Sequence, residues 1–167
     1  MKLAGAFLCF AACALGGFFA GRRERERTAL CEAFYSFFLY IRGQIDAYLT
    51  PTKQIFRSYA DPTLEKIGFL RALTAHETDA VYHDAWQAAM RECASKWALN
   101  ETQTALVAAF GASIGKTGGE MQLRQMDRYL SQMSAETERQ RAEAKKNEKL
   151  YRTLGLSLGA VAAILIL

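Results

Sequence analysis

The sequence predicts an all-α protein, a helical bundle domain flanked by an N-terminal and a C-terminal transmembrane helix. Among its 167 residues only two are proline, Pro51 and Pro62, so the punctuation that separates short strands is nearly absent. Through the middle of the chain, apolar residues recur at spacings of three and four, which is the period of a helix face. Both ends of the chain are continuous apolar runs, and these predict the two membrane segments.

The first apolar run, residues 3–21, has no charged residue in 19 positions. As a helix it would be about 28 Å long at ~1.5 Å per residue, close to the thickness of a bilayer core. We therefore predict a transmembrane helix over residues 1–21. The run stops at four arginines, which are predicted to lie at the membrane interface: Arg22, Arg23, Arg25 and Arg27.

The same segment has an alternative interpretation as an export signal. Ala11-Ala12-Cys13 resembles a lipoprotein box, which would make Cys13 the lipidated residue of an exported helical module. Against this, Phe10 stands where Leu is usual, and the apolar run continues past Cys13 into the four arginines. Retention as an anchor is therefore the favoured interpretation.

Residues 153–167 form the second apolar run, and we predict a C-terminal transmembrane helix there. Its length, about 22 Å at ~1.5 Å per residue, is short for a membrane span, and Lys149, Tyr151 and Arg152 are predicted to lie at the interface beside it. The alternative is a buried core helix, but the run is apolar on all faces rather than along one stripe.

Basic residues flank the two runs asymmetrically. The four arginines follow the first run, and Lys145, Lys146, Lys149 and Arg152 precede the second, whereas Lys2 alone lies on the other side. Basic flanks stay in the cytoplasm. We therefore expect a cytoplasmic domain between the anchors, with both termini across the membrane.

Residues 22–133 are predicted to form the cytoplasmic helical bundle. Its first helix, 22–49, carries one apolar face. Thr50-Pro51 and Asp61-Pro62 each combine a capping residue with a proline in the first helical turn, and so begin helices over 51–60 and 62–75. The predicted inward residues of the first helix are Leu30, Phe34, Phe37, Phe38, Ile41, Ile45 and Tyr48.

Three further helices complete the predicted fold. Thr78 and Asn100 are predicted to cap the next two, the glycine-rich loop 115–119 follows, and the longest helix starts near Glu120. Residues 134–152 of that helix are predicted to form a charged stalk that is polar on all sides. The predicted inward residues are Tyr82, Trp86, Ala89 and Cys93; Leu106, Phe110 and Ile114; and Leu123, Met126, Leu130 and Met133, with Met121 also expected in the core.

The sequence predicts no catalytic, cofactor or metal site, and we do not expect an enzyme. The segment from Gly111 to Thr117 resembles the end of a phosphate-binding loop, but three residues rather than four separate its first two glycines, and a helix precedes it instead of a strand. His76 and His83, seven residues apart, match no common zinc spacing. A net charge of +4 is too mild to indicate nucleic acid.

Several short motifs, in a fixed order along the chain, are shared with one protein family. They are Met1-Lys2-Leu3-x-Gly5; Thr50-Pro51; Phe110-Gly111-x-Ser113-Ile114-Gly115-Lys116-Thr117; Gly119-Glu120-x-Gln122; and Lys149-Leu150-Tyr151-Arg152-x-Leu154-Gly155 with Gly159. In these motifs, and in its double-anchor layout, the chain resembles the stage III sporulation protein AB family of endospore-forming bacteria. Ile114 replaces the family's usual Leu, and Thr52-Lys53 replaces a second proline-containing turn.

The resemblance implies a setting and partners. Members of the family sit in the mother-cell membrane that faces the forespore, and the products of their operon build a secretion-like channel between the two cells. Their cytoplasmic domain is similar to platform protein F of type II secretion and pilus systems. We therefore expect a platform subunit needed for stage III of sporulation, which docks the operon's secretion-type ATPase, contacts the other channel proteins and is able to form homo-oligomers. A platform of a pilus or type II secretion system is the alternative.

The predicted docking surface is the elbow, residues 110–122, together with the charged stalk. Glycines keep the elbow compact beside a polar face that has no catalytic purpose. The residues predicted to bind the partner are Phe110, Gly111, Gly115, Gly119, Glu120 and Gln122.

Overall fold

The computed structural model describes residues 2–48, 52–76, 82–115 and 119–166, with side chains chiefly over 21–46, 55–76, 82–115 and 120–151. Over these ranges the chain is all-α, without strands, which confirms the predicted class. The helices are α1 (Lys2–Tyr48), α2 (Thr52–Ser58), α3 (Pro62–Ile67), α4 (Phe69–Ala75), α5 (Tyr82–Glu92), α6 (Glu101–Ser113) and α7 (Gly119–Ile166), with a short 3-10 turn, Ala94–Lys96, after α5.

The chain divides into two compact units. One, here called the bundle, comprises residues 29–138. The other, the helical pair, combines residues 1–28 with residues 139–167.

No helix among the described residues combines the length and the apolar character that a membrane crossing needs. The two transmembrane helices over 1–21 and 153–167 therefore stay predictions. Met1 and Leu167, and most side chains of the two segments, lie outside the described residues.

The bundle is built on one face of α1. Phe34, Phe37, Phe38 and Ile41 are fully buried there, which confirms the predicted apolar stripe. The Phe37 ring lies parallel to the indole of Trp86 on α5, with ring centroids 5.8 Å apart. Such aromatic pairs contribute about 0.5–1.5 kcal/mol beyond the burial of their area. Aromatic contacts between α1 and the shorter helices therefore contribute much of the stability of the core.

Local capping signals set the starts of two short helices. Asp61 accepts hydrogen bonds from the backbone N–H groups of Thr63 (2.9 Å) and Leu64 (3.0 Å), with Pro62 as the first helical residue. Asn100 and Gln103 form a reciprocal capping box at the start of α6. Both caps confirm the prediction, whereas Thr50-Pro51 and Thr78 lie outside the described residues.

The single helix predicted over 62–75 is wrong, because Gly68 divides it into α3 and α4. Gly68 adopts φ +88°, and its N–H donates to the carbonyls of Leu64 (3.1 Å) and Glu65 (2.9 Å). A left-handed residue ends one helix and changes the direction of the chain. The change lets Leu64 of α3 and Phe69 of α4 both reach the core.

Helix α7 departs from prediction at two places. Met126 and Met133 are fully buried as predicted, but Met121 is 61% exposed. It lies five residues before Met126, about 140° around a helix of ~3.6 residues per turn, and so points away from the core. Beyond Met133 the buried face continues at Thr137, Gln140 and Ala144, so the predicted stalk is not polar and solvated on all sides.

The helical pair is held partly by polar contacts. The side-chain amide of Gln140, which is 1% exposed, donates to a carboxylate oxygen of Glu24 (2.8 Å). Arg25 lies 3.6 Å from Glu148 across the pair, and Arg139 lies 3.7 Å from Glu143 along α7. The last contact is an i,i+4 ion pair within the segment predicted to form the charged stalk.

We expect Gly68→Ala to lower the free energy of unfolding of the bundle by about 1–2 kcal/mol, because a Cβ opposes the left-handed conformation. Urea unfolding of the detergent-solubilised chain, followed by the fluorescence of Trp86 and Trp97, measures this change.

The matched control is Gly43→Ala in α1, where an added Cβ meets no atom within 4 Å. This change is expected to raise the free energy of unfolding by up to about 1 kcal/mol, through helix propensity alone. Shifts of the same sign for both variants would contradict the role assigned to Gly68.

Candidate docking surface

The elbow consists of the end of α6 and the start of α7, and the structure describes its residues 110–115 and 119–122. It brings the predicted docking residues into two groups. Phe110, Gly111 and Gln122 are buried, whereas Gly115 and Glu120 are exposed. Gly119 is the first residue of α7. The predicted docking role of the elbow stays a prediction, and its buried members belong to the core.

Gly111 lets α6 approach α5 closely. A Cβ at Gly111 would lie 2.3 Å from the indole atoms Cγ and Cδ1 of Trp86, far inside van der Waals contact. The same indole donates from Nε1 to the backbone carbonyl of Val107 one turn earlier (3.0 Å). Because a buried indole N–H needs an acceptor, this bond fixes where the ring lies across α6.

Phe110 joins the elbow to the two long helices. Its ring stacks on Phe38 of α1 with centroids 3.7 Å apart, and meets Tyr129 of α7 edge-on at 6.4 Å. The ring is fully buried. Phe110 therefore positions the elbow from inside and offers no surface to a partner.

The chain leaves α6 through a compact turn. The Ser113 hydroxyl donates to the carbonyl of Phe110 (2.6 Å), and the Ile114 N–H donates to the carbonyl of Gly111 (3.4 Å). Gly115 then adopts φ +76°, the left-handed conformation that glycine commonly takes just after a helix ends. Residues 116–118, which include Lys116 and Thr117 of the loop motif, lie outside the described residues.

The exposed part of the elbow, here called the elbow surface, consists of Gly115, Glu120 and Met121. Glu120 is exposed in the first turn of α7 and lies 3.7 Å from Arg124. Met121 beside it presents an unbranched apolar side chain to solvent. Methionine is enriched at protein-binding surfaces, because its flexible, polarizable side chain adapts to different partners. Sequence reasoning missed Met121, because it placed this residue in the core.

An ion pair fixes the start of α7 against α1. Arg42 Nε donates to a carboxylate oxygen of Asp127 (3.0 Å), and Arg42 also pairs with Asp46 one turn along α1. The hydrogen bond to Asp127 is the main cause that raises the pKa of Arg42. The guanidinium therefore stays charged, and the contact joins α1 to α7 two turns after the elbow surface.

Most of the residues predicted at the membrane interface have exposed side chains. Arg22 and Arg25 are exposed and paired with Glu26 (3.3 Å) and Glu148 (3.6 Å), while Arg27 is half-buried beside Glu24 (3.6 Å). Arg23 and Lys149 are exposed, Tyr151 is half-buried, and the side chain of Arg152 lies outside the described residues. Their role at a membrane stays a prediction.

The remaining residues with potential for metal binding or catalysis include His76, His83 and Cys93. In the part of the chain that the structure describes, no cluster of His, Cys, Asp or Glu could hold a metal ion. His76 contacts Glu92 at the surface (3.2 Å), and His83 contacts Gln87 (3.1 Å). Burial raises the pKa of the Cys93 thiol, which keeps it protonated and unreactive.

We expect Gly111→Ala to lower the free energy of unfolding by about 1–3 kcal/mol, because the added methyl group must displace the indole of Trp86. Urea unfolding followed by far-ultraviolet circular dichroism measures the cost.

A double-mutant cycle separates this collision from a general intolerance of alanine. In a Trp86→Leu background the smaller side chain leaves space, so Gly111→Ala is expected to cost clearly less than in the native chain. An equal cost in both backgrounds would contradict the proposed packing.

The family model of stage III sporulation protein AB matches residues 2–167, which is nearly the whole chain. No curated protein and no solved structure matches the chain.

Proposed function

Because the chain belongs to the stage III sporulation protein AB family, we propose that it is a platform subunit of the secretion-like channel between mother cell and forespore. Membership of the family implies a role in stage III of sporulation. Within that role, the protein docks a cytoplasmic secretion-type ATPase and carries out no reaction itself. The match of the family model over residues 2–167 is the observation that carries the proposal.

The charge distribution supports a membrane-anchored platform. Residues 1–28 and 139–167 contain eleven basic and four acidic residues, a net charge of +7, whereas residues 29–138 contain ten basic and thirteen acidic residues, a net charge of −3. Basic residues next to apolar runs favour the cytoplasmic side and attract anionic lipid. We therefore place the helical pair in a membrane, the bundle in the cytoplasm and the termini on the far side, and the family resemblance implies that this is the mother-cell membrane facing the forespore.

The elbow surface is the proposed site of ATPase contact. It is held in place from below by the buried ring of Phe110 and by the turn at Gly115, so a partner meets a surface that needs little ordering. Its charged pair Glu120–Arg124 gives specificity, and the exposed side chain of Met121 gives apolar contact area. Helices α6 and α7, which lie on either side of the elbow, give this surface rigid support.

We expect Glu120→Lys to lower capture of the ATPase about tenfold, which corresponds to ~1.4 kcal/mol of binding free energy. The substitution reverses a charge on the elbow surface and repels Arg124. Co-purification of the operon's secretion-type ATPase with the tagged full-length chain measures the effect.

The matched control is Glu101→Lys, since Glu101 is an exposed acidic residue in the first turn of α6, just as Glu120 is in α7. Both substitutions carry the same cost against the helix dipole. Equal capture by the native chain and both variants, or equal loss in the two variants, would remove the elbow surface from the interface.

A further inference from the structure

The helical pair presents an exposed face of α7 that carries three lysines, here called the lysine face. They are Lys145, Lys146 and Lys149. At ~3.6 residues per turn, these positions lie within an arc of about 100° on the helix. Gln140 and Ala144 are buried on the other side of α7, where Gln140 is bonded to Glu24 of α1. The lysine face therefore points away from α1.

The charges of the lysine face are available to a ligand. None of the three lysines forms an ion pair with any residue that the structure describes. The neighbouring carboxylates of α7 are directed to arginines instead. Glu143 lies 3.7 Å from Arg139, and Glu148 lies 3.6 Å from Arg25 of α1. Neither carboxylate therefore pairs with the lysine face.

The arginines of α1 are in a different state, although they too follow an apolar run. Three of them are engaged with carboxylates: Arg22 with Glu26 (3.3 Å), Arg25 with Glu148 (3.6 Å) and Arg27 with Glu24 (3.6 Å). Arg23 is exposed and adds one cation to this helix. A ligand that carries negative charge thus finds more uncompensated charge on α7 than on α1.

Toward the C-terminus the lysine face continues as an exposed apolar surface. Steps of four residues join surface neighbours on a helix. From Lys146 they lead to Leu150 and Leu154, which are each 47% exposed. Three such steps from Lys149 lead to Val161, which is 56% exposed. Exposed apolar side chains that follow one another in this way mark a contact with lipid or with protein.

The hydroxyl groups on this surface are bonded within the helix. Thr153 and Ser157 are exposed and lie on the four-residue steps between Lys149 and Val161. The Thr153 hydroxyl donates to the carbonyl of Lys149 (2.9 Å), and the Ser157 hydroxyl donates to the carbonyl of Thr153 (2.7 Å). Because each donor is satisfied by the backbone, the surface can face hydrocarbon without an unpaired hydroxyl.

The order of charge and apolar surface indicates the occupant. A phospholipid carries its phosphate directly next to its acyl chains, and α7 presents lysines and then apolar side chains in the same order. A nucleic acid would pair with the lysines but leave Leu150, Leu154 and Val161 in water. The helical pair has a net charge of +7, which favours an anionic headgroup over a zwitterionic one.

We propose that this surface of α7 binds an anionic phospholipid. The lysine face pairs with the phosphate, and Leu150, Leu154 and Val161 lie along the acyl chains. The proposal rests on the membrane placement of the helical pair and names the lipid that the pair recognises. Each lysine contributes about a fivefold gain in affinity for the anionic lipid, and salt weakens this gain.

Lipid titration of the full-length chain in neutral detergent micelles tests the proposal. The probes are phosphatidylglycerol and phosphatidylcholine with identical, fluorescently labelled acyl chains, read by fluorescence anisotropy. We expect the native chain to bind phosphatidylglycerol about tenfold or more tightly than phosphatidylcholine. Equal binding of the two lipids would overturn the anionic-lipid site but leave the membrane placement intact, whereas binding of neither lipid would overturn both.

Two double variants separate the lysine face from net charge. K146Q/K149Q should lower the affinity for phosphatidylglycerol about tenfold or more and leave that for phosphatidylcholine unchanged. The matched control R22Q/R25Q removes the same charge from the paired arginines of α1, and it should leave both affinities nearly unchanged. An equal loss of phosphatidylglycerol binding in the two variants, or no loss in K146Q/K149Q, would overturn the proposal.

Two further variants give results that misfolding cannot imitate. K146E/K149E should gain affinity for a trimethylammonium lipid with the same acyl chains, and failure to gain it would contradict the charge contact. Leu150→Gln should weaken binding of both phospholipids by the same factor, because acyl chains do not distinguish headgroups. A loss confined to phosphatidylglycerol would contradict the proposed acyl contact.

Soluble competitors distinguish a lipid from other anions. Glycerophosphoglycerol, which is the headgroup without acyl chains, and hexaglutamate should each displace little of the bound phosphatidylglycerol at physiological salt, even in large excess. Substantial displacement by the first would assign the lysine face to a free phosphate ester, and by the second to an acidic protein. Either result would overturn the proposal.

Discussion

The bundle depends on the close approach of Trp86 to Gly111. The indole covers the backbone of α6 at a point where a Cβ would lie 2.3 Å from its ring atoms, and its Nε1 donates to the carbonyl of Val107. From that position the ring also meets Phe37 face to face and Phe69 edge-on (5.2 Å). Helices α1, α4, α5 and α6 thus share one side chain, and the absence of a side chain at residue 111 makes this possible. The elbow follows directly after this contact, so the path of the chain toward α7 is determined by the core.

The sequence predicted those features that local chemistry determines. Asp61 before Pro62 and Asn100 before α6 act within one helical turn, and both cap their helices as predicted. The features that were missed depend on neighbours distant in sequence. Gly68 inside a helical pattern carries no local sign that it adopts a positive φ, and the burial of Gly111 under Trp86 requires knowledge of which helices pack together. The predicted elbow therefore contained both core and surface residues, which the pattern alone did not separate.

The second half of α7 shows a related limit. Apolar periodicity stops after Met133, which indicated a helix in water, yet Gln140 is 1% exposed and bonded to Glu24. A buried polar side chain with a satisfied partner gives no hydrophobic signal in the sequence, although it contributes to the register of two helices. The buried hydrogen bond between Gln140 and Glu24 helps to fix the alignment of the two helices, while the helical pair as a whole carries a net charge of +7. The two units consequently present surfaces of opposite net charge, and this contrast is the physical basis for assigning one to a membrane and the other to protein partners.

The central claim is that the bundle lies in the cytoplasm, together with the ATPase that it is proposed to dock. Cysteine accessibility in intact sporulating cells tests this claim most directly. Single cysteines at Ser58, which is exposed, and at Ser134, which is partly exposed, are labelled with a membrane-impermeant maleimide. The background is a variant in which all four native cysteines are replaced, and this cysteine-free chain is the blank. The account predicts protection at both positions until the cells are lysed. Labelling in intact cells would place the bundle outside, contradict the positive-inside assignment and favour the exported helical module.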